Sequence, residues 1–193
     1  MKHSRSVCAA LSVASVLAWP AAAQAETVIG SVKYNFGSQE WKLEAKFVKQ
    51  EIDYATDEPA GTVIINTRRK YLYLILGNGR AMRYGIGVGR DGFKWYGEEK
   101  ISRKAEWPDW HPPVEMVERD ELAAKWANGM PGGPDNPLGA RALYLGNSLY
   151  RIHGTTQPWT IGTAVSSGCI RLQNEDVIDL YERVAIGAKV IVQ

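Results

Sequence analysis

Residues 62–88 constrain the fold more than any other part of the chain. Segments 62–66 (TVIIN) and 71–76 (YLYLIL) are rich in β-branched and aromatic residues, which suit a pleated, half-buried surface. Gly77-Asn78-Gly79-Arg80 follows at once, and Asn-Gly tolerates the positive φ angles of a tight primed turn. Residues 81–88 (AMRYGIGV) then read as the returning strand, so the compact domain opens with a β-meander. Gly85, Gly87 and Gly89 mark that strand for bulges or close backbone approach.

The same pattern returns late in the chain. Residues 141–145 (RALYL), a turn at Gly146-Asn147-Ser148 and residues 149–152 (LYRI) predict a second hairpin, whose outgoing strand ends at His153-Gly154. A short strand is expected at 170–172. Asn174 is placed to cap a helix running through Val184, with Glu175 and Asp176 in its first turn, where the helix dipole favours negative charge. Gly187 stops that helix, and 189–192 (KVIV) form a last strand. Between the two strand-rich regions, residues 91–139 lose periodicity. They carry Trp95, Trp107, Trp110 and Trp126 and six prolines, and only 114–126 have helix-forming composition. Long irregular inserts are usually functional or disordered. The tryptophans argue for order, either as a substrate-contacting flap or as a loop glued to the core.

Residues 1–25 have the form of an export signal. Lys2 and Arg5 make a basic start, residues 7–19 are apolar but short of the ~20 residues a bilayer span needs, and Ala23-Gln24-Ala25 is a small-x-small cleavage site. Cleavage after Ala25 predicts an exported, periplasmic protein with no transmembrane segment left. The chain has 23 Lys+Arg and 21 Asp+Glu, and losing Lys2 and Arg5 makes the two signs equal. No basic face for a phosphate backbone is expected, which excludes nucleic acid as a partner. Residues 26–58 read as an arm, a linker or a short additional strand, and Pro59-Ala60-Gly61 punctuates the chain before a domain at 59–193.

Of the two cysteines, Cys8 leaves with the signal, and Cys169 has no partner for an internal disulfide. A lone cysteine is either a small buried hydrophobe or a nucleophile. Its neighbours, Ser166-Ser167-Gly168-Cys169-Ile170-Arg171, are small and polar, the composition of a turn that presents a sulfur. An attacking thiol needs a nearby imidazole to take its proton, and that imidazole needs a third group to hold it. After the signal there are two histidines. His111 lies between Trp110 and Pro112 in the irregular insert. His153 ends a strand, and the fifteen residues between it and Cys169 have loop composition, long enough to bring the two together. His153 is the better base. One Cys and two His without close spacing make a poor tetrahedral set, so no metal is expected.

Ile152-His153-Gly154-Thr155, Ser166-Ser167-Gly168-Cys169-Ile170-Arg171 and Asn174-Glu175-Asp176 together resemble the L,D-transpeptidase catalytic domain of bacterial cell-wall enzymes. The resemblance extends more weakly through Asn136-Pro137-Leu138-Gly139 and the opening strands, covering roughly 59–193. It implies a mainly β fold, a β-sandwich or partly closed β-barrel with one helix late in the chain and a flap insertion over the active-site cleft. Carried over by position, it implies Cys169 as nucleophile, His153 as base and the Gly154 carbonyl as the group orienting the imidazole. The backbone amides of Ser167, Gly168 and Cys169 would stabilise the oxyanion, and Arg171 would hold a substrate carboxylate or steady the turn. Ser167 stands where many members have a histidine, which throws more weight on His153, and Arg171 replaces an asparagine found in some members.

The implied reaction is acyl transfer on peptidoglycan stem tetrapeptides. A Cys169 thioester forms with release of D-alanine and is resolved by an amine, without metal or nucleotide cofactor. The acceptor is a diaminopimelate amine on a neighbouring stem, an outer-membrane protein or a free D-amino acid, and the chain is expected to act as a monomer. Resolution by water would make it an L,D-carboxypeptidase instead. An inert thiol would leave a non-catalytic cell-wall-binding protein.

Overall fold

The Asn-Gly turn joins two strands of a nine-stranded mixed sheet. The computed structural model describes residues 35–36, 39–91, 93 and 95–193, and the signal expected at 1–25 lies outside them. In chain order the strands are β1 (Asn35–Phe36), β2 (Gln39–Glu40), β3 (Gln50–Asp53), β4 (Val63–Asn66), β5 (Tyr71–Gly77), β6 (Arg80–Gly85), β7 (Val88–Gly89) and β8 (Gly97–Glu106). Two short helices, α1 (Val114–Val117) and α2 (Glu121–Lys125), precede β9 (Arg141–Leu145) and β10 (Arg151–His153). Then come β11 (Ala164–Ser166), β12 (Ile170–Arg171), α3 (Asn174–Arg183) and β13 (Lys189–Val192). The main sheet runs β12-β10-β9-β8-β13-β4-β5-β6-β3, while β1–β2 and β7–β11 form small separate pairs.

Asn78 and Gly79 have φ of 51° and 70°, both left-handed, as a two-residue primed turn between Gly77 and Arg80 requires. The strands it serves are apolar on both faces. Val63, Ile65, Leu72 and Leu74 enter the main core with Tyr84, Leu143 and Ile152, whereas Ile64, Tyr73 and Ile75 pack with Ala81 on the other side. Burial on two faces explains why these segments read as unbroken apolar runs. Each such side chain contributes about 1.5–3 kcal/mol on leaving water. Helix α3 covers the main core with Val177 and Leu180, a helical i, i+3 spacing, Val184 joins them just past its end, and the buried Tyr84 hydroxyl donates to Asp179 Oδ2 at 2.7 Å.

The sheet is mainly β as expected and remains open. Its edge strand β12 is tied to the segment after β6 by one antiparallel bridge, in which Gly87 and Arg171 exchange two 2.9 Å hydrogen bonds. The strand that joins its two halves, β8, lies inside the stretch read as irregular. Residues 97–100 pair with β13 and the remainder with β9, with a register shift between Ile101 and Arg103. Only Ile101 of GEEKISRKAE is buried, so the strand carries no alternating pattern and is held by ladders on both sides.

Three further expectations are corrected. The returning strand stops at Gly85 instead of reaching Val88, and a Cβ at Gly85 would sit 2.6 Å from the Phe47 carbonyl oxygen, so close approach of another segment bends the chain away. Helical residues 114–126 split into α1 and α2, the second started by Asp120, whose Oδ1 accepts from the Ala123 amide at 3.3 Å. Gln173, not Asn174, occupies the N-cap of α3. The region before Pro59 supplies β3 to the sheet edge and the buried Phe47.

Candidate active site

Strands β10 and β12 run parallel, with Ile152 beside Ile170 and His153 beside Arg171. Parallel neighbours need a connection of about a dozen residues, and segment 154–168 provides it. Ile152 and Ile170 are buried in the main core. Because side chains alternate, Arg151, His153, Cys169 and Arg171 share the opposite face of this strand pair. Continuing the register one step places Cys169 beside Arg151, so Cys169 and His153 are diagonal neighbours on that face. His111, the other histidine considered, is exposed in the insert beside the Trp110–Met130 bridge.

The His153 ring is buried, with Nδ1 2.6 Å from the Gly154 carbonyl oxygen. A carbonyl only accepts, so Nδ1 carries the proton and Nε2 keeps its lone pair. Burial first, and then the positive charge of Arg171, hold the imidazole down to about 3, which leaves it neutral near neutral pH. The Leu138 backbone in the irregular insert acts on this ring in the opposite sense, drawing it up slightly. Leu138 is itself set by Asn136, fully buried, whose Oδ1 accepts the Leu138 amide at 2.9 Å while Nδ2 donates to the carbonyls of Met130 and Pro131.

Burial pushes the half-buried Cys169 thiol up, and Arg151, through its charge, backbone N–H and side chain, draws it back down along with Arg171. The preceding Gly168 has φ of 107°, and a Cβ there would overlap the Tyr150 ring. That ring stacks on Trp95, centroids 4.9 Å apart and planes 4° from parallel, and Trp95 Nε1 donates to the Gly168 carbonyl at 3.2 Å. The turn is thus walled by two aromatic rings.

Ser166 Oγ closes the turn from inside, donating to the Cys169 carbonyl at 2.6 Å and accepting the Gly168 amide at 3.2 Å. The Gly168 N–H, expected to face an oxyanion, is therefore already engaged. Ser167 lies half-buried between β11 and Gly168. Among the described residues, Arg171 Nη1 reaches only neutral oxygens, Gln157 Oε1 at 3.3 Å and Thr160 Oγ1 at 3.5 Å, and its buried Nε meets no partner.

Sequence reasoning missed Arg151 and Tyr150, named Trp95 only as one of the insert's tryptophans, and gave Asn174 the wrong task. Asn174 Oδ1 accepts the amides of Ala140 at 3.0 Å and Thr155 at 3.3 Å, fastening α3 to the loops on either side of His153. A Cβ on Gly139 or on Gly154 would collide with that same oxygen, so both positions require glycine. The nearness of Asn174 to the Cys169 segment was the available signal.

The family model YkuD, L,D-transpeptidase catalytic domain, matches residues 60–192. The probable L,D-transpeptidase YbiS of Escherichia coli is 38% identical over 135 residues, which cover 67% of this chain and 43% of that relative, so the chain spans less than half the relative's length. A crystal structure from Brucella melitensis, described as a probable carnitine operon oxidoreductase, is 47% identical and superimposes with a TM-score of 0.53 over 78% of this chain and 96% of that one. Gly87, Gly89 and Gly92 do have the spacing of a dinucleotide fingerprint, but the next element is strand β8. Among the described residues, no helix N-terminus follows the run to take a pyrophosphate. L,D-transpeptidase 3 of Mycobacterium tuberculosis, 18% identical, shares the fold with a TM-score of 0.52 over 70% of this chain and 61% of that one. Strand order, motif positions and the match across 60–192 lead to one assignment: the chain belongs to the L,D-transpeptidase catalytic domain family.

Proposed function

We propose that this chain is a periplasmic cysteine L,D-transpeptidase that acts on peptidoglycan stem tetrapeptides. Cys169 Sγ attacks the carbonyl of the amide between the L-centre of diaminopimelate and the terminal D-alanine. His153 Nε2 takes the thiol proton and passes it to the departing amine, so the C–N bond breaks, D-alanine leaves and a Cys169 thioester remains. An incoming amine, from diaminopimelate on a second stem or from a protein awaiting attachment, attacks the thioester and loses a proton to His153. The thiol then re-forms by taking that proton back.

The amides of Ser167 and Cys169 stabilise the oxyanion of each tetrahedral intermediate, and Gly168 shapes the turn that carries them. Arg171 holds the carboxylate of the donor. The observation that most supports this reading is the neutral imidazole, locked in one tautomer by the Gly154 carbonyl on the strand beside the thiol. A base that starts uncharged can accept the thiol proton, a contribution of about 10²–10⁴-fold.

Intact-mass analysis of the protein with a tetrapeptide donor, and separately with a carbapenem, tests this directly. The expected result is a covalent adduct on Cys169 that Cys169→Ala lacks, with cross-linked or protein-linked stems accumulating in cells that express the wild type. Absence of any adduct together with unchanged muropeptides would overturn it.

A further inference from the structure

Two arginines flank Cys169. Arg151 lies across from it on β10, one strand spacing of about 4.8 Å away, while Arg171 lies two residues further along β12, about 6.6 Å on. Arg151 donates through Nε and Nη2 to the Leu149 carbonyl at 3.3 and 3.2 Å, and the Cys169 thiol meets the same oxygen at 3.9 Å. Guanidinium and sulfur thus converge on one atom at the mouth of the site, where the Leu149 side chain is 82% exposed.

Among the described residues, neither guanidinium has a carboxylate partner. Arg171 meets only Gln157 and Thr160, and Arg151 meets Leu149, Cys169 and, over its face at 5.6 Å from the centroid, the Tyr144 ring. Other arginines of this chain are paired: Arg80 with Glu51 and Asp53, Arg141 with Glu106, Arg183 with Asp179. Two partly desolvated cations set side by side repel each other and favour an arriving anion.

We infer that Arg151 and Arg171 form a two-point carboxylate receptor around the Cys169 sulfur, which takes an acyl donor bearing a free carboxylate on each side of the scissile amide. The donor's identity rests on the transpeptidase reading. On the leaving side the carboxylate is that of the terminal D-residue, and on the acyl side it is the D-centre carboxylate of diaminopimelate. Amidation of the latter removes one anchor, so the site selects unamidated stems.

Alkylation of Cys169 by iodoacetate and by neutral iodoacetamide tests the receptor without any turnover. A guanidinium acting only on the thiolate changes both rates alike, whereas an anion receptor changes their ratio. The expected result is a preference for iodoacetate in the folded wild type that the urea-unfolded protein lacks. That preference falls about 10-fold in Arg151→Gln and in Arg171→Gln, the loss of one charge-assisted contact, is retained in Arg151→Lys and weakens with salt. A wild-type ratio equal to that of the unfolded protein, or one unchanged in Arg151→Gln while both rates drop together, overturns the proposal.

Donor peptides supply the second arm. The free-acid tetrapeptide should acylate the wild type about 10-fold faster, in kcat/KM, than the same peptide amidated on diaminopimelate. Equal rates sink the receptor and leave transpeptidation standing. No acylation by either peptide sinks the transpeptidase reading, while the alkylation ratio still decides whether the anion receptor exists.

Discussion

Toward one end of the nine-stranded sheet β4 and β5 are apolar on both faces, whereas at the other end β10 and β12 are apolar on one face and polar on the other. Both ends share the core that α3 covers. They differ in how the second face is stabilised. Ile64, Tyr73 and Ile75 fill it by volume, so neighbours of similar shape could be exchanged with modest loss. Beside His153 and Cys169 the second face is held by directed contacts: the Gly154 carbonyl on Nδ1, the Asn174 amide between two loops, and Ser166 within the turn. Such groups tolerate little substitution because an abandoned buried partner costs more than the bond itself gained. One end is therefore the scaffold and the other carries the proposed chemistry.

The sharpest way to break that division is to exchange the two effects. Cys169→Ala should abolish acyl-enzyme formation while thermal unfolding stays within a few degrees of wild type. Leu72→Ala should cost about 2–5 kcal/mol of stability in urea titration while the folded fraction keeps its rate per molecule. A Leu72→Ala protein of normal stability and lost activity would reverse the assignment. His153→Gln comes next, with a fall of about 10²–10⁴-fold in the acylation rate constant and little change in stability at neutral pH.

Asn174→Ala leaves the Ala140 and Thr155 amides without their shared acceptor, for about 1–3 kcal/mol. Since these loops hold the groups around His153, kcat should fall with KM nearly constant, and Asn174→Asp, which keeps the acceptor oxygen, should recover most of the loss. Equal stability loss with unaltered kcat would make Asn174 part of the scaffold alone.

The smallest effects concern pH. Folded His153 is held near 3, by burial above all, whereas an unfolded histidine titrates near 6.5, so its contribution to stability is complete above about 6.5 and is lost as pH falls toward 3. Asp176 has the opposite sign. Burial lifts it from 3.8 to about 6, so its contribution is present at low pH and is lost as pH rises through 6. Melting curves between pH 4 and 8 should show a flatter acid limb for His153→Gln. Asp176→Asn should gain on wild type above pH 6 and lose that gain by pH 4, and a constant offset for Asp176→Asn would contradict the assignment.

How much of this was legible follows the same division. The doubly buried β4 and β5, the Asn78-Gly79 turn, β9 and β13 stand out because local composition and burial agree. Strand β8 does not, since its pairing partners lie far away in sequence and its side chains are mostly polar. At the site, Cys169 and His153 were visible as chemistry with a plausible spacing. Arg151 and Tyr150 were not, and Trp95 was seen only as part of the insert, because a register and a ring stack make them neighbours of the thiol and neither leaves a local mark. Asn174 shows a related failure, in that cap-forming composition predicted a local role and a long-range hydrogen bond claimed the side chain.

Strand β13 sits between β4 and β8, parallel to the first and antiparallel to the second, yet it follows every other described strand along the chain. A ribosome delivers Lys189–Val192 after everything they must join, so neither half of the sheet can close on the other during synthesis. Such late, non-local pairing is slow. The half of the sheet beside Cys169 consequently joins the half that holds β4 and β5 only when β13 arrives.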